Sequence, residues 1–173
     1  TLVRILTVRN PWAWAIIHGG KDVENRVRNI AGDYRGPVAI HAGAAYEPQA
    51  DRWPAMAQKA EARNVDSMRD YLMAYGQTAY RHIIGVVDLV DVHSASTVGG
   101  CGFMRHNCPD HGSCRDHCSV WAEGPSKDGW YQHLVFANPR PLAEPIPYKG
   151  ALGLRRLDAE AIAKITAQIG GTR

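Results

Sequence analysis

The sequence lacks several features, and each absence closes off a class. No apolar run approaches the roughly 20 residues that a membrane helix requires, so a helical membrane span is excluded. The opening "TLVRILTVRN" has no long apolar stretch of a secretory signal, which makes a cytoplasmic protein the expectation. There is no CxxC pair for a redox dithiol, no HExxH, no phosphate-binding glycine loop and no nucleophile elbow. Internal repeats, heptad runs and low-complexity tracts are also missing. Lysine is scarce, at five of the 20 basic residues.

What remains is an ordinary globular composition. With 173 residues, 45% hydrophobic and 21% charged, the chain is expected to form one domain over 1–173 with a real core. A net charge of +3 permits a polyanionic partner without demanding one. The dominance of arginine suits phosphates and base faces. A GC-rich genome that favours arginine codons explains it equally well.

"LVRILTV" alternates as a strand. Asn10 is then placed to cap a short helix with Pro11 at its first position, and Gly19 or Gly20 to stop it. "GPVAIHA" reads as a second strand. Trp53, Met56, Ala57 and Ala60, and again Met68, Tyr71, Leu72 and Tyr75, fall at helical spacing, the second set capped by Asp66 and ended by Gly76. "HIIGVVDLVDV" is apolar on both faces, like a central strand, and "YQHLVFA" is another. Asp158 opens a closing helix that carries Ile162, Ile165 and Ile169. Strands outnumber helices without alternating regularly with them. The fold class expected is therefore α+β, a mostly antiparallel barrel with helical inserts.

The stretch "NPWAWAIIHGGKDVENR" crowds charges directly after a segment fit for burial. Trp12 and Trp14, two residues apart, cannot share a helix face, so one is expected in the core and one more exposed. Lys21, Glu24 and Arg26 are either a surface ion-pair network or the lining of a polar site.

"PWAWAIIHGGKDVENR", "YRGPVAIHAG", "GVVDLVDV" and "HLVFANPRPL…PIPYKGALGLRRL" resemble, in order, the signature segments of the ASCH domain family. The resemblance implies a PUA-like β-barrel with a cleft beside the first helix, where members bind RNA or single-stranded DNA. Trp12, Lys21, Glu24, Arg26, Arg35, His41 and Lys149 would then line the site for single-stranded nucleic acid or a modified nucleotide. Some small members resemble amidohydrolases acting on acetylated cytidine, and others are ribonucleases. In the amidohydrolase-like pattern a lysine follows the glycine turn, a threonine stands three residues on, and a glutamate comes from a later segment. Lys21 matches the lysine, whereas Glu24 occupies the threonine position, and neither Glu123 nor Glu144 can be placed as the later glutamate. Lys21 and Glu24 are the catalytic candidates, but a carboxylate beside Lys21 suits an anion clamp better than a base. A protein-binding adaptor that uses the helical insert is a third possibility.

All four cysteines, Cys101, Cys108, Cys114 and Cys118, lie in "CGFMRHNCPDHGSCRDHC", within an insert at about 94–129 far longer than an ordinary connection. His106, His111 and His117 lie among them. Structural zinc held by the four thiolates, with a histidine able to replace one, is weighed against free thiols in a flexible loop.

Overall fold

The computed structural model describes residues 2–77, 79–95, 101, 117–126 and 129–170. In chain order the elements are β1 (Arg4–Asn10), α1 (Trp12–His18), β2 (Val23–Arg26), β3 (Gly36–Tyr46), a 3-10 turn (Pro48–Arg52), α2 (Pro54–Glu61) and α3 (Met68–Ala74). There follow β4 (His82–Ser94), β5 (Pro125–Ser126), β6 (Gly129–Trp130), β7 (Gln132–Pro147), β8 (Leu154–Arg156) and α4 (Ala159–Ile169).

Six strands pair in the order β2-β7-β4-β3-β1-β8, and β5 pairs with β6. The class is α+β as expected, but among the described residues the six-stranded order is open and not closed into a barrel. The sheet is also mixed. β1 runs parallel to β3, with Arg4 opposite Val38 and Leu6 opposite Ile40, and antiparallel to β8. A parallel neighbour requires a crossover, and α1 with β2 supplies the chain length between β1 and β3. The outer strands β2 and β8 are only four and three residues long, a common way of limiting an exposed edge.

The chain forms two compact units. Unit 1 comprises Thr1–Gly20, Pro37–Val87 and Pro139–Arg173, and unit 2 comprises Lys21–Gly36 and Asp88–Asn138. β4 and β7 therefore contribute residues to both.

In unit 1, α4 lays Ala161 and Ile165 on Val3, Ile5, Ala39, Ile83, Val86, Leu142 and Ile146. Ile162 and Ile169 pack at the margin of this core. Ile83 to Val87 are buried in succession, as the doubly apolar run of β4 implies. Asn10 does not cap α1. It ends β1 opposite Tyr46, its carbonyl accepts from the Glu47 amide at 2.6 Å, and Pro11 takes the cap position. Gly19 closes the helix through its amide to the Ala15 carbonyl, 2.9 Å. Ser67, not Asp66, caps α3. Its hydroxyl accepts from the Asp70 amide at 3.1 Å and donates to the Asp70 carboxylate at 2.7 Å, a reciprocal pairing that Asp66 is one residue too early to make.

Two stability predictions arise here. A Cβ added at Gly85 would stand 2.7 Å from Ile17 Cδ1 and 2.8 Å from the Arg140 carbonyl oxygen. The backbone atom cannot yield, so Gly85→Ala is expected to cost about 1–3 kcal/mol. An unchanged denaturant midpoint would contradict it.

Asp158 accepts from the Ala161 amide at 2.8 Å and from the Tyr148 hydroxyl at 2.6 Å. The Tyr148 hydrogen bond, then the amide, hold its carboxyl below the usual range. Its contribution is present above the unfolded-state value and lost as pH falls through the lowered folded-state value. Asp158→Ala should cost about 0.5–2 kcal/mol at neutral pH and less in acid, where only a neutral cap is lost. Urea titrations of both proteins at the two pH values check the convergence.

Candidate functional site

The charged run after the glycine pair is not a surface loop. Gly20, at φ +75, turns the chain, and Val23 to Arg26 pair with β7, with Glu24 opposite Leu134 and Asn25 opposite His133. Being an edge strand of alternating direction, β2 sends Val23 and Asn25 to one face and Glu24 and Arg26 to the other. Lys21 and Glu24 are only 4% and 8% exposed, which excludes the surface-network reading for this pair. Lys21 Nζ donates to Glu24 Oε2 at 3.1 Å and also to the Val23 carbonyl. Glu24 Oε1 meets Arg26 Nη2 at 3.1 Å, so one carboxylate holds two cations, and the Arg26 side chain keeps 31% of its surface exposed.

Glu123 joins this group from a distant segment. Burial raises its carboxyl's proton affinity first, with Lys21 drawing it down and Glu24 pushing it up. Its position is set through the main chain. The Glu123 amide donates to Asn25 Oδ1 at 2.9 Å, and Asn25 Nδ2 donates to the Trp121 carbonyl at 2.9 Å. One asparagine on β2 thus clamps two residues of the 117–126 segment. Ser119 Oγ adds a hydrogen bond to Asp22.

A second cluster lies in the same unit. His93, Cys101, Cys118 and His133 each offer a ligand atom, all within 4.8 Å of one another. Two cysteines expected to bind metal are therefore brought together, and the other two partners come from β4 and β7. Cys108 and Cys114, like His106 and His111, lie outside the described residues. His117 is close by, its Nδ1 3.8 Å from Cys101 Sγ. Burial, then Cys101, pushes the Cys118 thiol up to about 12. Burial lowers the proton affinity of His133, with His93, His117 and Lys21 lowering it further.

The other expected site residues are accounted for individually. Arg35 is exposed and spends Nη1 on the Gly32 and Tyr34 carbonyls, at 3.1 and 2.9 Å. Trp12 and Trp14 divide as expected, the first half-buried and the second buried. Trp12 packs edge-on against Trp53 at 5.7 Å, and Trp14 donates to Gln77 Oε1 at 2.6 Å. His41 is buried with Nε2 3.0 Å from the Tyr148 carbonyl. A Cβ at Gly150 would come within 2.7 Å of the His41 ring, so the glycine admits the imidazole. Lys149 is exposed next to it in sequence. Glu144 is exposed on β7, where its amide and carbonyl bond the Gln168 side chain of α4. Asp88 and Asp91 serve different partners: Asn138 Nδ2 donates to Asp88 at 3.0 Å, and His93 Nδ1 to Asp91 at 2.7 Å.

Residues 6–145 match the sequence profile of the ASCH domain. This chain belongs to the ASCH domain family. Among solved structures it is similar to the ASCH protein of Zymomonas mobilis, at 13% identity over 95% of this chain and 94% of that one, TM-score 0.47. A single-substitution mutant of that protein gives 14% identity, 95% and 96% coverage, and a TM-score of 0.49. No curated protein matches the chain. The ASCH match spans β2, β4 and most of β7, and so includes Lys21, Glu24, Glu123 and all four residues of the His/Cys cluster. Among the described residues, no helix is long and apolar enough to cross a membrane.

Sequence reasoning missed Glu123, Asn25, His93 and His133 as members of these clusters. A signal was available for the histidines: they stand just outside the two ends of the cysteine insert, where strands would return them to a common place.

Proposed function

We propose that this ASCH chain, as one PUA-like domain, binds a base of single-stranded nucleic acid or of a modified nucleotide beside Lys21, Glu24 and Arg26. One observation carries the reading: a buried Lys21–Glu24 pair holds the partly exposed Arg26 guanidinium in a fixed orientation, with the Glu123 carboxyl near enough to feel both charges of the pair. A fixed guanidinium stacks on a base or bonds its edge, and a carboxyl partners an exocyclic amine. Arg35 of the same unit is a further contact in this proposal. As cofactor the reading takes one structural zinc, in keeping with thiolate and imidazole donors.

Titration with single-stranded RNA and DNA, duplex DNA and acetylated cytidine tests it. Weak, salt-sensitive single-strand binding is expected, with a log–log salt slope of roughly −1 to −3, at about −0.7 per phosphate. Duplex should bind no better, since no helix among the described residues is set to enter a groove. Arg26→Ala should weaken binding about ten- to a hundredfold, the loss of a charged hydrogen bond. Duplex binding tighter than single strands, or an unchanged Arg26→Ala, would sink the proposal.

The second reading, an amidohydrolase, is favoured by Glu123, which supplies beside Lys21 a glutamate from a later segment. Wild-type turnover of acetylated cytidine that is abolished by both Lys21→Arg and Glu123→Gln would replace the binding reading with this one.

A further inference from the structure

We propose that His93 Nε2, Cys101 Sγ, Cys118 Sγ and His133 Nδ1 are the four ligands of one tetrahedral zinc site, and that the site positions Glu123. The inference rests on the zinc reading above and is independent of what the Lys21 group binds. It exchanges an all-cysteine set for two thiolates and two imidazoles, the imidazoles from β4 and β7 and the thiolates from the two ends of the stretch 101–118.

The four ligand atoms lie within 4.8 Å of one another, close to the spacing of such a tetrahedron. Bonds of about 2.0–2.1 Å to nitrogen and 2.3 Å to sulfur separate neighbouring ligands by roughly 3.3–3.8 Å. His133 Nδ1 lies 3.4 Å from His93 Nε2, 3.1 Å from Cys101 Sγ and 3.7 Å from Cys118 Sγ. The outer hydrogen bonds settle which ring nitrogens face inward. His93 Nδ1 donates to the Asp91 carboxylate at 2.7 Å, leaving the lone pair on Nε2. His133 Nε2 donates to the Glu123 carbonyl at 2.7 Å, leaving the lone pair on Nδ1. Each remaining lone pair belongs to the nitrogen that sits in the cluster. Carboxylate and carbonyl partners of this kind orient metal-binding histidines and raise their basicity. The Cys118 amide also lies 3.3 Å from Cys101 Sγ, where it would favour a thiolate. Mixed thiolate and imidazole donors in four-coordinate geometry select zinc among common divalent ions. With all four positions taken by side chains, no place is left for a reacting water, so the site is structural.

Glu123 is reached through one bond. Its carbonyl receives His133 Nε2–H and its amide meets Asn25, so metal that fixes the His133 ring also fixes the Glu123 backbone between two anchors.

The test measures zinc in the full chain purified without added metal. About one zinc per chain is expected in wild type, in Cys108→Ser/Cys114→Ser and in His117→Asn, and none in Cys101→Ser/Cys118→Ser. Loss of zinc from the Cys108/Cys114 variant, or its retention in the Cys101/Cys118 variant, would overturn the ligand set while leaving the zinc reading intact. Metal-free wild type would overturn both. Cobalt(II) substituted into wild type gives a count that needs no variant: its thiolate charge-transfer intensity should correspond to two sulfurs, and four would refute the set. Chelation should speed amide exchange across 117–126 while β1 and β3 keep their protection. Unchanged exchange at Glu123 would refute the positioning role.

Discussion

Replacing Glu24 by alanine is expected to destabilise the protein by about 3–5 kcal/mol. The Lys21 side chain is 3% exposed and its ammonium is matched to Glu24 at 3.1 Å. Without the carboxylate, Lys21 keeps the Val23 carbonyl but loses its 3.1 Å ion pair. Arg26 loses the same partner, but at 31% side-chain exposure water replaces it at small cost. The effect should therefore come from the buried lysine. Lys21→Met/Glu24→Leu separates this cause from lost packing, since replacing a buried pair with apolar groups of similar size is often nearly neutral. The double variant should recover most of the stability lost in Glu24→Ala. A Glu24→Ala midpoint close to wild type, or a double variant as unstable as the single, would show that the pair is not carrying this load.

Asn25→Ala is expected to cost about 1–3 kcal/mol for each main-chain group left unmatched, and it leaves two. The asparagine gives its amide nitrogen to the Trp121 carbonyl and its oxygen to the Glu123 amide, both at 2.9 Å. Trp121 is buried, so water cannot easily substitute at that end. Asn25→Asp should fall between alanine and wild type, since it retains the acceptor for Glu123 but has no donor for Trp121. Amide exchange localises the effect: Glu123 should lose protection in the alanine variant and keep more of it in the aspartate variant. Equal losses in both would place the effect elsewhere in β2.

Much of the architecture was legible because it depends on local chemistry. Asp158 caps α4 through its own carboxylate, and the doubly apolar "HIIGVVDLV" can only be a covered strand, so neighbours in sequence sufficed for both. Ser67 and Asp66 show the limit of that information. Both residue types cap helices, and only the position of Asp70 decides between them. β2 was illegible for a different reason. "VENR" has no strand signature, and it becomes one through pairing with β7, more than a hundred residues away. The open strand order was likewise hidden, because strand composition does not say whether a sheet closes. In the candidate site, the proximity of Lys21, Glu24 and Arg26 was visible in their spacing, but Glu123 arrives only through Asn25. The cysteines advertised a metal site by type, while both imidazoles required knowing that β4 and β7 lie in one sheet.

β4 and β7 each contribute to both compact units, and unit 2 is built from two separate stretches of chain. No contiguous gene segment therefore encodes either unit whole. A single cut in the chain cannot release unit 2 intact, because Lys21–Gly36 and Asp88–Asn138 would fall on different pieces or keep parts of unit 1.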